Sequence, residues 1–259
     1  MIKLKELPIV ENVDQLKTLP QGKLLINTIN AHSYNTALKD SLFAEALIKG
    51  DVLIPDGASI VKVCKWLKMQ SQPRERIAGW DLFVFEMNRL NEKGGRCMFM
   101  GSSEKVLALI KQRAAVDYPN LEVVAYSPPY KPEFSQEDNA AIVAAINEEK
   151  KIIQDIKKKA PSILLVGLGA PKQEKWIYSN WQKLNIHCHV GTIGAVFDFF
   201  AGTTERAPLW WQQHSLEWLY RLIKEPKRMW RRYLIGNVLF LWNICKEKMD
   251  LYDEKKYDY

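Results

Sequence analysis

The chain has 259 residues, of which 47% are apolar and 26% are charged. This length and apolar content suit one substantial α/β domain with a smaller part attached to it. Nine tryptophans and the moderate charge argue against a disordered chain. The formal net charge of +7 favours an anionic partner, such as a nucleotide, a nucleic acid or an acidic membrane surface.

The cysteines indicate a reducing compartment. They are far apart in the sequence and show no C-x-x-C spacing, which argues against a disulfide framework or a zinc knuckle. We therefore expect free thiols in the cytoplasm. Residues 1–20 do not resemble a signal peptide. No stretch reaches the roughly 20 apolar residues that a spanning helix needs, and the longest candidate, 233–245, contains glycine and asparagine.

Short apolar runs alternate with segments of helical periodicity along the chain. The predicted strands are Lys23–Thr28, Asp51–Ile54, Arg96–Met100, Leu121–Ala125, Ser162–Val166 and Ile186–Val190. The predicted helices are Ser33–Lys49, Ser59–Met69, Lys105–Asp117 and Glu137–Lys159, and the lysine-rich run 150–159 is expected to be a solvated helix face. The alternation predicts an α/β fold with a Rossmann-like, mostly parallel sheet that binds its ligand at the carboxyl ends of the strands.

The composition changes near Thr203. Between Arg206 and Lys248, nine Lys or Arg residues stand against three Glu, a net charge of +6, and five of the nine tryptophans lie here. Pro208 and Pro226 divide the stretch into short helices. We therefore predict an α/β core over residues 1–202 and a basic, aromatic, helical appendage over residues 203–259.

Polar residues follow the first two predicted strands. Thr28 and Asn30 stand where they can hydrogen-bond a sugar or a base, although a turn or a helix cap explains them equally well. Asp56 follows the second strand in Pro55-Asp56-Gly57, where a carboxylate can accept a proton from an attacking hydroxyl. The alternative for Asp56 is a cap on the next helix.

Two further motifs suit a phosphorylated ligand. An arginine in the loop that holds Arg74 and Arg76 can grip a diphosphate with paired hydrogen bonds, the alternative being a surface salt bridge. The Gly-rich turn at Gly167 and Gly169 follows a buried strand, and backbone amides at such a turn can receive a nucleotide. The turn is neither a Walker loop nor a full dinucleotide fingerprint, so by itself it is weak support.

The sequence offers no pattern typical of a metal site. His187 and His189 have no third ligand nearby, which favours packing or hydrogen bonding. A D-x-D pair is also missing. We therefore expect no metal and no cofactor, so that arginine, lysine or backbone amides must offset the charge of a leaving group.

Taken in order, these pieces resemble the WecG/TagA/CpsF glycosyltransferase family. The resemblance runs from about residue 23 to about residue 237. The matching segments are T-I-N at 28–30, P-D-G at 55–57, E-R-I-A-G-W-D-L-F at 75–83, V-G-L-G-A-P-K-Q-E-K-W at 166–176, G-A-V-F-D-F-F-A-G at 194–202, R-A-P-L-W-W at 206–211 and the basic tail at 216–234. The stretch 191–194 is less rich in glycine than the family pattern, which bears on the sugar pocket.

The resemblance implies an inverting, metal-independent transfer of N-acetylmannosamine, or its uronic acid, from a UDP donor. The implied acceptor is a polyprenyl-diphosphate-linked N-acetylglucosamine, in the synthesis of a cell-surface polysaccharide. By the same resemblance Asp56 is the general base and Arg76 the core arginine, with Arg74 close enough to compete. The implied substrate-binding residues are Thr28, Asn30, Gly169, Gln173, Arg221, Arg228 and Arg231.

Other functions stay open. One is a UDP-hexose transferase of capsule or exopolysaccharide synthesis, another is a non-catalytic nucleotide-sugar-binding protein, and a third is a nucleic-acid-binding protein suggested by the basic tail. The tail charges alternate with Trp, Leu and Tyr at helical spacing, which better suits an interfacial helix on an anionic membrane. We therefore expect no nucleic-acid partner and a cytoplasmic protein bound peripherally to the inner face of the cell membrane. A homo-oligomer is left open.

Overall fold

One sheet of six parallel strands organises the computed structural model, which describes residues 2–148 and 162–257. The strands are β1 Leu24–Ile29, β2 Val52–Pro55, β3 Arg96–Gly101, β4 Glu122–Tyr126, β5 Ser162–Gly167 and β6 His189–Thr192. Their order is β2-β1-β6-β5-β3-β4, and all neighbouring pairs are parallel. The predicted α/β, Rossmann-like fold is confirmed, with each predicted strand displaced by at most a few residues.

Helices connect the strands and cover both faces of the sheet. In the core they are α1 Asp14–Lys17, α2 Ala31–Ala37, α3 Ser41–Ile48, α4 Ala58–Trp66, α5 Gly79–Lys93, α6 Glu104–Asp117, α7 Gln136–Glu148, α8 Lys172–Asn180 and α9 Gly194–Ala201. The predicted helix 33–49 is two helices, because the Asp40 side chain accepts a hydrogen bond from the Phe43 amide and starts α3. The lysine-rich run 150–159 lies outside the described residues.

The sheet is buried on both faces, which explains why its strands read as continuous apolar runs. Along β5, Ile163 and Leu165 pack in the layer formed with α5, α6 and α9. The alternate residues, Leu164 and Val166, pack in the opposite layer with α7 and α8. The sheet is thus held rigidly in the middle of the molecule, and only its edges and strand ends are free to bind a ligand.

The C-terminal part is helical, as predicted. It contains α10 Leu209–Gln213, α11 Glu217–Lys224, α12 Pro226–Trp230, a π-helical turn at Arg231–Ile235, and α13 Gly236–Tyr257. Pro226 occupies the first turn of α12, where its missing N–H carries no penalty. Because residues 226–257 are helical without a break, the π-helical turn is a local bulge in one long helix.

Helix α13 packs directly on the core. Phe240 and Ile244 are buried there, and the Phe240 ring meets the Tyr34 ring edge-on with centroids 5.7 Å apart. The buried Glu247 carboxylate accepts hydrogen bonds from the Tyr34 hydroxyl at 2.6 Å and from the Leu4 amide at 3.0 Å. The division of the chain at residues 202 and 203 remains a prediction, and α13 contributes to the core whichever way the chain is divided.

We expect Phe240→Ala to lower the free energy of unfolding by about 3–5 kcal/mol, because a buried aromatic ring is replaced by a cavity. Val238→Ala is the matched control on the same helix, since Val238 is 70% exposed, and its effect should stay within about 0.5 kcal/mol. Urea unfolding followed by circular dichroism measures both. Equal effects of the two substitutions would mean that α13 is not docked on the core in solution.

Candidate active site

A cleft with a volume of about 1230 Å³ opens at the carboxyl edge of the sheet, between the strand ends and the C-terminal helices. It lies beside β1, where the chain order reverses: β2 is on one side of β1 and the later strands are on the other. All the residues assigned to the site from the sequence line this one cleft. They are Thr28, Asn30, Asp56, Arg76, Gly169, Gln173, Arg221, Arg228 and Arg231.

Asp56 stands at the end of β2, where its amide donates to the Ile29 carbonyl oxygen at 2.8 Å. Gly57, not Asp56, is the N-cap of α4, and α4 has no side-chain cap. The Asp56 carboxylate is therefore turned to the cleft rather than used as a helix cap. It accepts a long hydrogen bond of 3.5 Å from the side-chain nitrogen of Asn30.

Asn30 is a helix cap, one of the two roles that the sequence left open, and binding of a sugar or base stays a prediction. Its side-chain oxygen accepts from the Ser33 backbone N–H at 3.0 Å, and the Ser33 hydroxyl accepts from the Asn30 backbone N–H at 2.7 Å. These two hydrogen bonds cap α2. Its side-chain nitrogen remains directed towards Asp56. The cap thus fixes the rotamer that presents the amide nitrogen to the carboxylate.

The structure separates the two candidate arginines. Arg76 lines the cleft, and its guanidinium donates to the Glu217 carboxylate at 2.9 Å. Arg74 is exposed and lies outside the cleft, in a shallow surface groove with Glu11. The assignment of Arg76 rather than Arg74 to the cleft follows from this placement.

Gln173 joins two loops at the floor of the cleft. Its side-chain oxygen accepts from the Gly169 amide at 3.1 Å, and its side-chain nitrogen donates to Glu174 at 2.9 Å. A Cβ atom at Gly194 would lie 2.8 Å from the same Gln173 oxygen. Gln173 is thereby fixed between the β5–α8 loop and the start of α9. Its partner Glu174 is buried, and burial raises the pKa of the Glu174 carboxyl to about 7.

The C-terminal arginines line the cleft opposite the strand ends. The Arg221 guanidinium lies 5.7 Å from the centre of the Phe199 ring, and Arg228 pairs with Glu225 at 2.7 Å. Arg231 is exposed at the cleft rim and belongs to the π-helical turn. These three arginines line the same cleft as Asp56.

Sequence reasoning missed two further arginines, Arg206 and Arg232, although both lie in segments that resembled the family. In each, the Nε atom is buried and has no hydrogen-bond partner among the described residues. Burial lowers the pKa of both guanidinium groups. Because buried N–H donors are almost always satisfied in native proteins, these two suit an anionic ligand.

The charges of the cleft act together on Asp56. Burial raises its pKa above the ordinary range, Arg76 and Arg232 lower it, and Glu217 raises it. His32 also lines the cleft, and burial together with Arg232 lowers its pKa to about 4, so the imidazole is neutral at pH 7. Neither His32 nor Glu217 was singled out from the sequence, which offered no local signal for them.

Within the described residues there is no group of three or more His, Cys, Asp or Glu side chains that could hold a metal ion. His189 is buried and contacts the Glu86 carboxylate at 2.8 Å and the Pro20 carbonyl oxygen at 3.0 Å. His187 is exposed and precedes β6. His189 thus packs and forms hydrogen bonds at the amino end of β6, away from the cleft.

A parallel α/β sheet with a carboxylate and several arginines at its carboxyl edge is the arrangement of an enzyme that acts on a phosphorylated substrate. The model of the glycosyl transferase WecG/TagA/CpsF family matches residues 2–254. The chain therefore belongs to this family and is a glycosyltransferase. This favours an enzyme over the nucleotide-sugar-binding and nucleic-acid-binding alternatives.

Two relatives carry the same name, N-acetylglucosaminyldiphosphoundecaprenol N-acetyl-beta-D-mannosaminyltransferase. The protein from Bacillus spizizenii is 31% identical over 225 residues, which cover 86% of this chain and 80% of the relative. The protein from Bacillus subtilis is 29% identical over 210 residues, which cover 81% of this chain and 75% of the relative.

We expect Gly194→Ala to lower the free energy of unfolding by about 1–3 kcal/mol, because the added Cβ meets the fixed Gln173 side chain and the Gly169 backbone. Gly236→Ala is the control, since Gly236 is also helical and its Cβ would have no neighbour closer than 3.6 Å. The control should be neutral or stabilising by up to about 1 kcal/mol. Urea unfolding distinguishes the two, and a neutral Gly194→Ala would contradict the close packing of the two loops.

Proposed function

We propose that the protein transfers N-acetylmannosamine, or its uronic acid, from a UDP donor to a polyprenyl-diphosphate-linked N-acetylglucosamine, with inversion at the anomeric carbon. The names of the two relatives support this donor sugar and this acceptor. The observation that carries the proposal is the Asp56 carboxylate in a cleft lined by arginines, of which Arg206 and Arg232 each have a buried Nε without a hydrogen-bond partner among the described residues.

Asp56 is the general base in this proposal. The acceptor hydroxyl attacks the anomeric carbon from the face opposite UDP, a new C–O bond forms, and the bond to the UDP oxygen breaks. The hydroxyl proton passes to the Asp56 carboxylate, and UDP leaves with the bonding electrons. Burial raises the pKa of Asp56, which brings the carboxylate closer to the proton affinity that favours a general base at neutral pH.

The departing diphosphate needs positive charge to stabilise it. Arg76, Arg206 and Arg232 line the cleft, and a guanidinium can bind a phosphate oxygen pair with two parallel hydrogen bonds. A bound anion would supply acceptors for the buried Nε atoms of Arg206 and Arg232, which have no hydrogen-bond partner among the described residues. These arginines therefore take the role that a divalent cation has in other enzymes of nucleotide sugars, and we propose a metal-independent reaction.

We expect Asp56→Asn to lower turnover at least about 100-fold while UDP affinity stays nearly unchanged, because the amide cannot accept the proton. The assay is UDP release with a panel of UDP-sugars and a short lipid-linked N-acetylglucosamine. Asp117→Asn is the matched control, since Asp117 is exposed and pairs with Arg113 away from the cleft. It should behave as the wild type.

The same panel tests the rest of the proposal. Turnover should persist in EDTA, and loss that magnesium or manganese restores would contradict the metal-independent mechanism. Near-wild-type turnover of Asp56→Asn would remove Asp56 from the role of base. A clear preference for a hexose other than N-acetylmannosamine or its uronic acid would favour the capsule or exopolysaccharide alternative.

Peripheral binding to the inner face of the cell membrane is part of the proposal. Among the described residues, no helix has the length and apolar character that crossing a bilayer requires. The C-terminal part instead exposes many large apolar side chains: Leu209, Trp210, Ile223, Trp230, Leu234, Ile235, Val238, Leu241, Trp242 and Met249. Together with exposed Lys224, Lys227 and Arg228, they form a surface suited to an anionic lipid headgroup layer.

We expect the double substitution Leu234→Ser and Trp242→Ser to weaken binding to vesicles rich in phosphatidylglycerol at least about tenfold, because burial of each side chain contributes about 1.5–3 kcal/mol. Co-sedimentation measures the change. These two residues are 52% and 58% exposed, and Val116, 78% exposed on α6, is the control site for Val116→Ser. A double variant that still sediments like the wild type would refute this docking surface. Surface substitutions are used because removal of α13 would also remove Phe240 and Ile244 from the core.

A further inference from the structure

One acidic side chain of the C-terminal part reaches into the arginine-lined cleft. Glu217, the first residue of α11, accepts from the Arg76 guanidinium at 2.9 Å through one carboxylate oxygen. Its other oxygen lies 3.9 Å from Arg206 Nε. The side chains of Glu217, Arg76 and Arg206 are only 16%, 21% and 17% exposed, so this contact differs from an exposed surface pair.

A carboxylate at this place is unfavourable for the binding of a diphosphate. It neutralises part of the positive charge on Arg76 and adds a negative charge to a cleft that has to receive an anion. If the cleft only bound phosphate, a neutral residue at position 217 would serve it better. The charge of Glu217 is therefore not explained by phosphate binding. Its effect on the neighbouring carboxylate of Asp56 offers an explanation.

The groups that face Asp56 come from several parts of the chain. The Asn30 side chain at the start of α2 donates to it, Arg76, Arg206 and Arg232 bring positive charge, and Glu217 brings negative charge. Burial has the largest effect and raises the pKa of Asp56, Arg76, Arg232 and the hydrogen bond from Asn30 lower it, and Glu217 adds to the effect of burial. Arginines alone would make Asp56 a weak base, because the strength of a general base follows its affinity for the proton.

We propose that Glu217 is a positioning residue of the active site, which holds the Arg76 guanidinium beside Asp56 and offsets the positive charge that Arg76 imposes on the base. The inference rests on the proposed function, in which Asp56 accepts the proton. It adds a residue of the C-terminal part that acts on the chemical step through Arg76 and Asp56, without touching the reacting atoms. The C-terminal part would thus set the strength of the base as well as supply phosphate-binding arginines.

The direct test is the titration of Asp56 by NMR in protein labelled with ¹³C at the aspartate carboxyl, with the signal assigned by its loss in Asp56→Asn. In Glu217→Gln, which keeps the shape and an acceptor for Arg76, the Asp56 pKa should fall by about half a unit or more, because a nearby negative charge is lost. Glu217→Asp keeps the negative charge, so the Asp56 pKa should return most of the way to its wild-type value. Glu122→Gln is the matched control, since it removes an ion pair of 2.7 Å with Arg96 at the amino end of β4.

Kinetics supply a second readout that a merely structural role would not change. A carboxylate base is lost as the pH falls through its pKa, so the acid limb of kcat/KM should move to lower pH in Glu217→Gln. At neutral pH we expect kcat to fall about three- to tenfold, with a smaller change in the donor KM, because the base is weaker and Arg76 less well held. Thermal unfolding confirms that each variant is folded.

The outcomes separate this inference from the proposed function. If Asp56→Asn is inactive but the Asp56 titration and the pH profile of Glu217→Gln match the wild type, the role of Glu217 is refuted and the proposed base stands. If Asp56→Asn keeps near-wild-type turnover, the proposed base is refuted and the inference falls with it. A lowered Asp56 pKa in Glu217→Gln, partly restored in Glu217→Asp and absent in Glu122→Gln, supports the inference.

Discussion

The parallel pairing of six strands is the constraint on which the rest of the molecule depends. Parallel neighbours need a crossover between them, so every strand has to begin at one edge of the sheet and end at the other. Residues that follow different strands therefore meet although they are far apart in the chain, as Asn30, Asp56 and Gln173 do. At this edge the ends of β3 and β5 approach closely. Position 101 requires glycine, because a Cβ there would collide with the backbone at Gly167 and because its φ is +126°.

The cleft is built from the sheet edge and the C-terminal part, and each contributes charged side chains. The sheet edge supplies Asp56 and its partner Asn30, whereas the C-terminal helices supply most of the arginines. Asp56, Arg76, Arg206 and Arg232 are partly removed from water, so their charges act on one another more strongly than on an open surface. The π-helical turn at 231–235 carries Arg231 and Arg232 within one long helix, whose next turns are anchored to the core by Phe240.

Away from the cleft, buried polar residues connect the sheet to the elements that pack against it. Glu86 is fully buried and contacts both Arg89 and the His189 ring, and the other ring nitrogen of His189 faces the Pro20 carbonyl oxygen. Burial alone would lower the pKa of His189, but the hydrogen bonds to Glu86 and Pro20 raise it above its ordinary value. A histidine with two acceptors is best satisfied as a cation, which also offsets the buried Glu86 charge.

Local patterns in the sequence were sufficient for the fold class and for the part of the site that lies on strand ends. Apolar runs of strand length and helical periodicity are properties of neighbouring residues, and all six strands were predicted from them. The position of Asp56 followed in the same way, because it comes directly after β2, and the turn that holds Gly169 follows β5. Gln173, in contrast, was implied only by the resemblance to the family. The helix α5 and the break between α2 and α3 were missed, since competing local signals such as the Asp40 cap are easily overlooked.

Pairings between distant residues were decided by the tertiary structure alone. The sequence by itself determined an α/β enzyme with a basic, aromatic C-terminal part, and it favoured Arg76 as the core arginine but left Arg74 as a competitor. That choice depends on the fold of the loop that bears them and on Glu217, which is 141 residues beyond Arg76. Likewise, helical periodicity does not reveal that Phe240 packs on Tyr34 or that Arg206 and Arg232 face Asp56. Such contacts arise only when separate elements pack together, and no pattern of adjacent residues encodes which elements those will be.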